Sequence, residues 1–218
     1  MISQVIWQRV TTHSDTQGFG FNHDMILHYT KNDDYNWEPQ YIPYDESYIN
    51  SHYTQFDKNN RRFRWDNATA TGSGPARKFF GKMIKPPDGT HWRWSQENID
   101  KLIAEERIEL TKKGMPQYKR YLDEMKGKVV QSVWTDIHPV NSQANEDTKY
   151  STQKPEELLQ RIINASSIPG DTVADFFCGS GTTLAVAEKL GRRWVGSDLS
   201  KFAIQVTRKR LLGVQDSK

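Results

Sequence analysis

The stretch from Thr172 to Thr183 reads Thr-Val-Ala-Asp-Phe-Phe-Cys-Gly-Ser-Gly-Thr-Thr, and it organises the rest of the chain. A short β-prone run, Thr172 to Phe177, leads into Gly179, Ser180 and Gly181. A helix is predicted from about Thr182 to Leu190, stopped by Gly191. A second apolar run, Trp194 to Gly196, ends at Asp198. Ser200 can cap a last helix that turns Ala203, Ile204, Thr207 and Leu211 inward and leaves Arg208, Lys209 and Arg210 where the helix dipole favours cations. Upstream, Pro155 opens a helix with Glu156 and Glu157 in its first turn and Leu158, Leu159, Ile162 and Ile163 on its apolar face. Helix, then strand-helix-strand-helix, predicts a parallel sheet covered by helices, an α/β class.

The glycines permit positive φ and let a ligand approach the backbone, and the helix start offers unpaired N–H donors. Asp198 follows Gly179 by 19 positions, at the end of the next strand. An acid placed there accepts hydrogen bonds from ribose hydroxyls in nucleotide-binding α/β folds. A dinucleotide site wants a third glycine near position 184, where Leu184 stands, so a nicotinamide cofactor is the weaker reading.

The whole chain has 218 residues, 35% of them hydrophobic and 11% aromatic, with seven Trp. So little aliphatic content implies a compact core assisted by aromatics. The net charge of +3 permits nucleic-acid binding without requiring it. The single cysteine, Cys178, excludes an internal disulfide and fits a reducing cytoplasm. No apolar run approaches the roughly 18–20 residues of a membrane span. The six histidines show no metal-ligand spacing.

Three regions follow. Residues 1–31 hold two strand-like runs, Val5 to Trp7 and Met25 to Tyr29, flanking a polar stretch from Thr11 to Asn22, which predicts a long hairpin. Residues 32–150 are polar, aromatic and irregular. Ser95 can cap a helix carrying Ile99, Leu102 and Ile103, and the spacing of Tyr118, Tyr121, Leu122 and Met125 predicts another between Pro116 and Gly127. Val129 to Val133 reads as a short strand and 134–150 as a loop. Residues 151–218 form the regular segment described first. Within the middle region, residues 58–93 carry nine cations, among them Arg61, Arg62, Arg64, Arg77, Lys78 and Arg93, against Asp66 and Asp88. Phe63, Trp65, Phe79, Phe80, Trp92 and Trp94 lie between them. Cations meet phosphates and aromatics stack on bases or wedge between them, although a solvated basic surface over an aromatic core has the same composition.

The glycine stretch resembles motif I of the amino-group (adenine-N6 or cytosine-N4) DNA methyltransferases, in which Pro usually stands at Phe176. Thr152-Gln153-Lys154-Pro155 is similar to that family's motif X, and Gly196-Ser197-Asp198 to its motif II. Motif X, then I, then II is the β-type order, and Arg61-Arg62-Phe63-Arg64-Trp65 resembles phrases in type III modification methyltransferases. The resemblance implies an incomplete Rossmann-like S-adenosylmethionine-dependent methyltransferase sheet with an inserted α+β target-recognition region at 32–150. It implies that Gly179, Ser180 and Gly181 line the methionine part of the cofactor. Asp175 would then face its amino group, Asp198 its ribose and Leu199 its adenine, while Lys154 and Pro155 shape the methionine side. Double-stranded DNA is the implied partner, bound by the cations of the middle region.

The family's catalytic motif IV, Asp/Asn/Ser-Pro-Pro-aromatic, does not occur here; the Pro-Pro pair is Lys85-Pro86-Pro87-Asp88. The family sheet runs 3-2-1-4-5-7-6. By the resemblance this chain supplies strands 1 and 2 on one side and 6 and 7 on the other, with residues 214–218 the one place where strand 3 could begin. The expectation is therefore a chain inactive alone, which self-associates or pairs with a second polypeptide carrying motif IV. A truncated remnant that holds cofactor or DNA without catalysis, and cytosine-N4 specificity, stay open.

Overall fold

A computed structural model describes residues 1–10 and 17–216. They form two compact units, Met1–Ile42 with Val129–Lys218, and Pro43–Lys128. The inserted unit lies inside the expected 32–150 segment, whose flanks pack with the first unit.

In the first unit, Ser3–Gln8 and His23–His28 pair antiparallel, with Val5 opposite Ile26 and Ile6 opposite Met25. Part of the expected connecting stretch, residues 11–16, lies outside the described residues. Val133–Trp134 adds parallel to the other side of Ser3–Gln8. The face is sealed by Trp7, Trp134, Ile137 and Leu158, and the Trp7 indole donates to the Ile137 carbonyl at 2.9 Å. Burying both ring and N–H this way satisfies the indole's one polar group.

The same unit holds a second ladder. Thr172–Asp175 and Arg193–Gly196 run parallel, with Asp175 opposite Gly196, joined through the helix Thr182–Lys189. That helix is buried nearly all round, and the fully buried Ala185 and Ala187 let Glu156–Ser166 and Lys201–Asp216 pack closely on its two sides. The two ladders share no hydrogen bond, and among the described residues the outer edges of Thr172–Asp175 and His23–His28 are unpaired. Ser200 caps the last helix through its hydroxyl to Ala203 N–H. Ala203, Thr207 and Leu211 are buried as the periodicity predicts, but Ile204 is exposed.

That helix corrects two further expectations. It continues to Asp216, so residues 214–216 do not start a strand, and Arg208 to Arg210 sit mid-helix. Arg210 points inward. Its guanidinium meets Glu156 at 2.8 Å, Glu146 at 3.6 Å and the Thr182 hydroxyl at 2.9 Å. Internal carboxylates, not the dipole, set its place.

In the second unit, residues 116–121 are a strand and not the predicted helix. Pro116–Tyr121 is paired on both sides in a four-stranded antiparallel sheet of order Ile108–Leu110, Pro116–Tyr121, Arg62–Asn67, Gln55–Phe56. Tyrosines spaced three apart satisfy a helical face, yet aromatic residues also favour strands, and two available partners decide the outcome. The region is thus far more regular than its composition implies. Two small hairpins, Thr69–Thr71 with Thr90–Trp92 and Arg77–Phe79 with Lys82–Ile84, pack with the helix Gln96–Ala104 around Ala68, Phe79, Trp92, Ile99 and Ile108. Ser95 caps that helix as predicted, accepting from Asn98 N–H at 3.4 Å. Glu46–His52 is a helix that the sequence reading lacked.

The charge cluster around Arg210 generates a pH prediction. Burial alone would raise the Glu156 carboxyl; hydrogen bonds from Lys189 and Arg210 more than offset this and hold it below its ordinary 4.5. A depressed carboxylate contributes stability above its unfolded pKa and loses it as pH falls through the folded value. Glu156→Gln should therefore cost roughly 1–3 kcal/mol at neutral pH by urea denaturation. The gap from the parent should shrink as pH falls below the ordinary 4.5 and close once it passes the lowered folded value. A gap independent of pH would contradict the network.

Candidate functional site

Asp175 and Asp198 stand at the carboxyl ends of the two parallel strands, one at the strand end and one two residues beyond Gly196. The loop between Asp175 and Thr182 folds back on both. Asp175 Oδ1 accepts from Phe177 N–H at 3.0 Å, and its carbonyl accepts from Ser197 N–H at 3.0 Å. Asp198 spans the loops: Oδ2 accepts from Gly179 N–H and Oδ1 from Ser200 N–H, each at 2.9 Å. These backbone donors, Ser200 first and Gly179 second, hold the Asp198 carboxyl below the usual carboxylate range. It is ionised at neutral pH, and each oxygen keeps further acceptor capacity.

Gly179 and Gly181 take φ of +51° and +72°, the left-handed region glycine enters without strain. The backside of the loop is clamped by residues that the motif alone does not reveal. Thr207 donates its hydroxyl to the Gly179 carbonyl at 3.0 Å. Tyr150 lies under Gly179 and stacks on Phe202 at 6.0 Å. Thr182 donates to the Lys154 carbonyl at 3.1 Å, which ties the segment before Pro155 to the start of the loop helix. The helical period puts Thr207 inward, but its tie to the loop arises only when Lys201–Asp216 packs on Thr182–Lys189.

The remaining expected residues divide. Ser180 is buried and bonds Thr182 at 3.0 Å. Pro155 is buried at the cap of Glu156–Ser166. Lys154 Nζ lies 3.6 Å from Asp24. Phe176, Phe177 and Leu199 are exposed beside the two acids, Leu199 fully so. No Lys or Arg occurs between Asp175 and Thr183. The loop and its flanks thus offer two acceptor carboxylates, N–H groups and exposed apolar side chains, a set suited to a cationic, hydroxyl-bearing nucleoside and poorly suited to a pyrophosphate.

The second unit sorts the six cations singled out from its sequence. Arg61 bonds both oxygens of Asp123 at 2.8 Å and Glu124 at 3.0 Å, and covers the Tyr121 ring. Arg62 donates to the Tyr53 and Ile49 carbonyls and to Asn50. Arg64 reaches the Tyr48 hydroxyl at 3.1 Å and Asp66 at 3.6 Å. These three tie the sheet to the segment 48–57 and to the 122–124 turn. Arg93 is exposed and uses only Nε, on the Thr69 carbonyl. Among the described residues, Arg77 and Lys78 have no carboxylate within 4.0 Å. Of the interleaved aromatics, Phe63, Phe79 and Trp92 are buried.

A family of DNA methylases matches residues 1–209. The chain is 33% identical over 199 residues to the type II methyltransferase M.EcaI of Enterobacter cloacae, covering 91% of this chain and 44% of that protein. It is 48% identical over 87 residues to the type II methyltransferase M2.DpnII of Streptococcus pneumoniae, covering 39% of this chain and 31% of that one. The chain thus spans less than half the length of these relatives. Among solved structures it is similar to M1.HpyAVI in complex with SAM, at 30% identity and a TM-score of 0.34, covering 44% of this chain and 47% of that one. It is also similar to the cytosine-N4-specific PvuII DNA methyltransferase, at 15% identity and a TM-score of 0.34, covering 57% and 52%.

A Cβ at Gly181 would lie 2.7 Å from the Thr207 side chain, at a φ that L residues avoid. Thr207 cannot swing away without releasing the Gly179 carbonyl. Gly181→Ala should lower unfolding free energy by about 1–3 kcal/mol. Gly213→Ala, in a helix with nothing within 4 Å of its Cβ, should not lower it. Equal stability of the two variants would contradict the clamp.

Proposed function

The chain belongs to the DNA methylase family, and from that membership we propose that it is part of a site-specific DNA methyltransferase that takes its methyl group from S-adenosylmethionine and delivers it to adenine N6. The observation that carries the reading is the pair Asp175 and Asp198, set on either side of a positive-φ glycine loop at the carboxyl ends of two parallel strands. The bound cofactor supplies a methyl group on a sulfonium.

The chain's own residues hold and orient that cofactor. Asp198, kept ionised by Gly179 and Ser200 N–H groups, accepts from the ribose hydroxyls. Asp175 accepts from the methionine ammonium, the Gly179 to Gly181 backbone lines the methionine part, and exposed Leu199 flanks the adenine. Lys154 and Pro155, tied to the loop through Thr182, close the methionine side. The loop itself carries no Lys or Arg to pair with a pyrophosphate, which favours a sulfonium nucleoside over a nicotinamide dinucleotide. The unit Pro43–Lys128 binds double-stranded DNA through Arg77, Lys78 and Arg93, while Arg61, Arg62 and Arg64 are engaged within the unit by acids, carbonyls and the Tyr48 hydroxyl. Adenine is preferred to cytosine on the resemblance of the motifs.

The Asp/Asn/Ser-Pro-Pro-aromatic tetrapeptide that accepts from the target amino group and stacks on a flipped base is not among these 218 residues. A polypeptide segment outside them supplies it. The unpaired edges of Thr172–Asp175 and His23–His28, with Met25, Phe176 and Phe177 exposed along or beside them, are where its strands add. A chain that transfers no methyl group alone would also fit a binding remnant, and the tests below separate the cofactor reading from the catalytic one.

Calorimetric titration of the chain with S-adenosylmethionine should give one site, with NAD giving none. Asp198→Asn, which keeps one carbonyl acceptor for the loop, should weaken binding by about 1–3 kcal/mol. Unchanged affinity would reject the ribose assignment. Labelled-methyl transfer to DNA should be absent with the chain alone and appear only with a segment carrying the tetrapeptide; turnover by the chain alone would overturn the division of labour.

A further inference from the structure

The hairpin Arg77–Phe79 with Lys82–Ile84 turns through Phe80 and Gly81, whose φ values are +48° and +83°. Positive φ at both central residues is the geometry of the tightest hairpin turn, which Asn-Gly or Asp-Gly satisfies without strain. A bulky aromatic at the first position is an outlier. Four non-glycine residues take positive φ among the described residues, and Phe80 is the one aromatic among them.

Packing does not explain the choice. Phe80 is 49% exposed, whereas its neighbour Phe79 is fully buried against Trp92. The hairpin beneath is held firmly. Phe79 belongs to the core with Ala68, Ile99 and Ile108, and the Gln96 side chain both accepts from Lys78 N–H and donates to Lys78 carbonyl, each at 2.8 Å. A strained residue over a rigid base, aimed at solvent, points to use and not to folding.

The charge around it names the occupant. Arg77, Lys78, Lys82 and Lys85 surround the turn, and no acid occurs from residue 77 to Asp88, which lies 3.5 Å from Lys85. Among the described residues Arg77, Lys78 and Lys82 have no carboxylate within 4.0 Å, unlike Arg61 and Arg64. Exposed Met83 extends the apolar tip. Unpaired cations flanking an apolar point match a polyanion whose interior is a stack of rings. We propose that Phe80 is a wedge that enters a base step of double-stranded DNA, with Lys78 and Lys82 on the phosphates beside it. This rests on the DNA-binding reading of the inserted unit.

The test uses the full chain, a fluorescein-labelled mixed-sequence duplex for anisotropy, and the same duplex with 2-aminopurine for unstacking. Phe80→Asn relaxes the turn, so its thermal midpoint should equal or exceed the parent's, while its affinity for the duplex falls about tenfold and the 2-aminopurine signal at saturation disappears. Phe80→Tyr should restore both. Replacing Lys78 and Lys82 by Gln should weaken binding and lower the salt slope by roughly 1–2 while keeping the 2-aminopurine signal at saturation. Phe80→Asn binding and unstacking as the parent does, with the lysine pair still weakened, would overturn the wedge and leave the DNA reading intact. A parent chain that ignores the duplex at low salt would remove both.

Discussion

One carboxylate holds the candidate site together. Asp198 receives the Gly179 and Ser200 N–H groups on its two oxygens, so its side chain joins the loop after one parallel strand to the turn after the next, beside the backbone bonds between Ser197 and residues 175 and 178. The same contacts keep it ionised. The same two donors thus orient the acid and keep it charged, and neither costs it its remaining lone pairs. Thr207, Tyr150 and Thr182 brace the loop, whose remaining groups are backbone, acids and apolar surface.

The inserted unit shows the same economy with cations. Its segment 58–93 carries nine cations against two acids, yet its arginines do two different things. Arg61 and Arg64 meet acids, Arg62 meets carbonyls, and together they join sheet, helix and turn into one body. Exposed ion pairs of this kind are worth little one by one, but bidentate and stacked geometry makes the Arg61 cluster a joint. Arg77, Lys78 and Lys82 meet no acid and stand on a hairpin whose root is buried. Charge that folding has not used is the charge available to a partner.

What could be read from sequence was what short-range chemistry decides. The strand-loop-helix-strand-acid order from Thr172 to Asp198 was legible because glycine, capping and apolar runs act over a few residues, and parallel pairing of the two strands follows from it. The Ser95 and Ser200 caps were legible for the same reason. Pro116–Tyr121 was not, because its tyrosine spacing fits either period and only two neighbouring strands choose between them. Arg210 was misassigned because the helix runs past it and three distant groups, Glu146, Glu156 and Thr182, draw it inward. Arg61 and Arg64 have the composition of nucleic-acid contacts, and only their partners at Asp123 and Asp66 separate them from Lys78. Clamps such as Thr207 and Tyr150 lie some 28 and 29 residues from Gly179, and although the helical period turns Thr207 inward, nothing local ties either residue to the loop.

Amide hydrogen exchange on the intact chain, with and without S-adenosylmethionine, tests the central claim most directly. Peptides spanning 176–183 and 197–202 should slow markedly on cofactor addition, with the two segments responding together because the Asp198 carboxylate and the backbone bonds of Ser197 join them. Protection confined to other segments, or no change in either at saturating cofactor, would contradict the account.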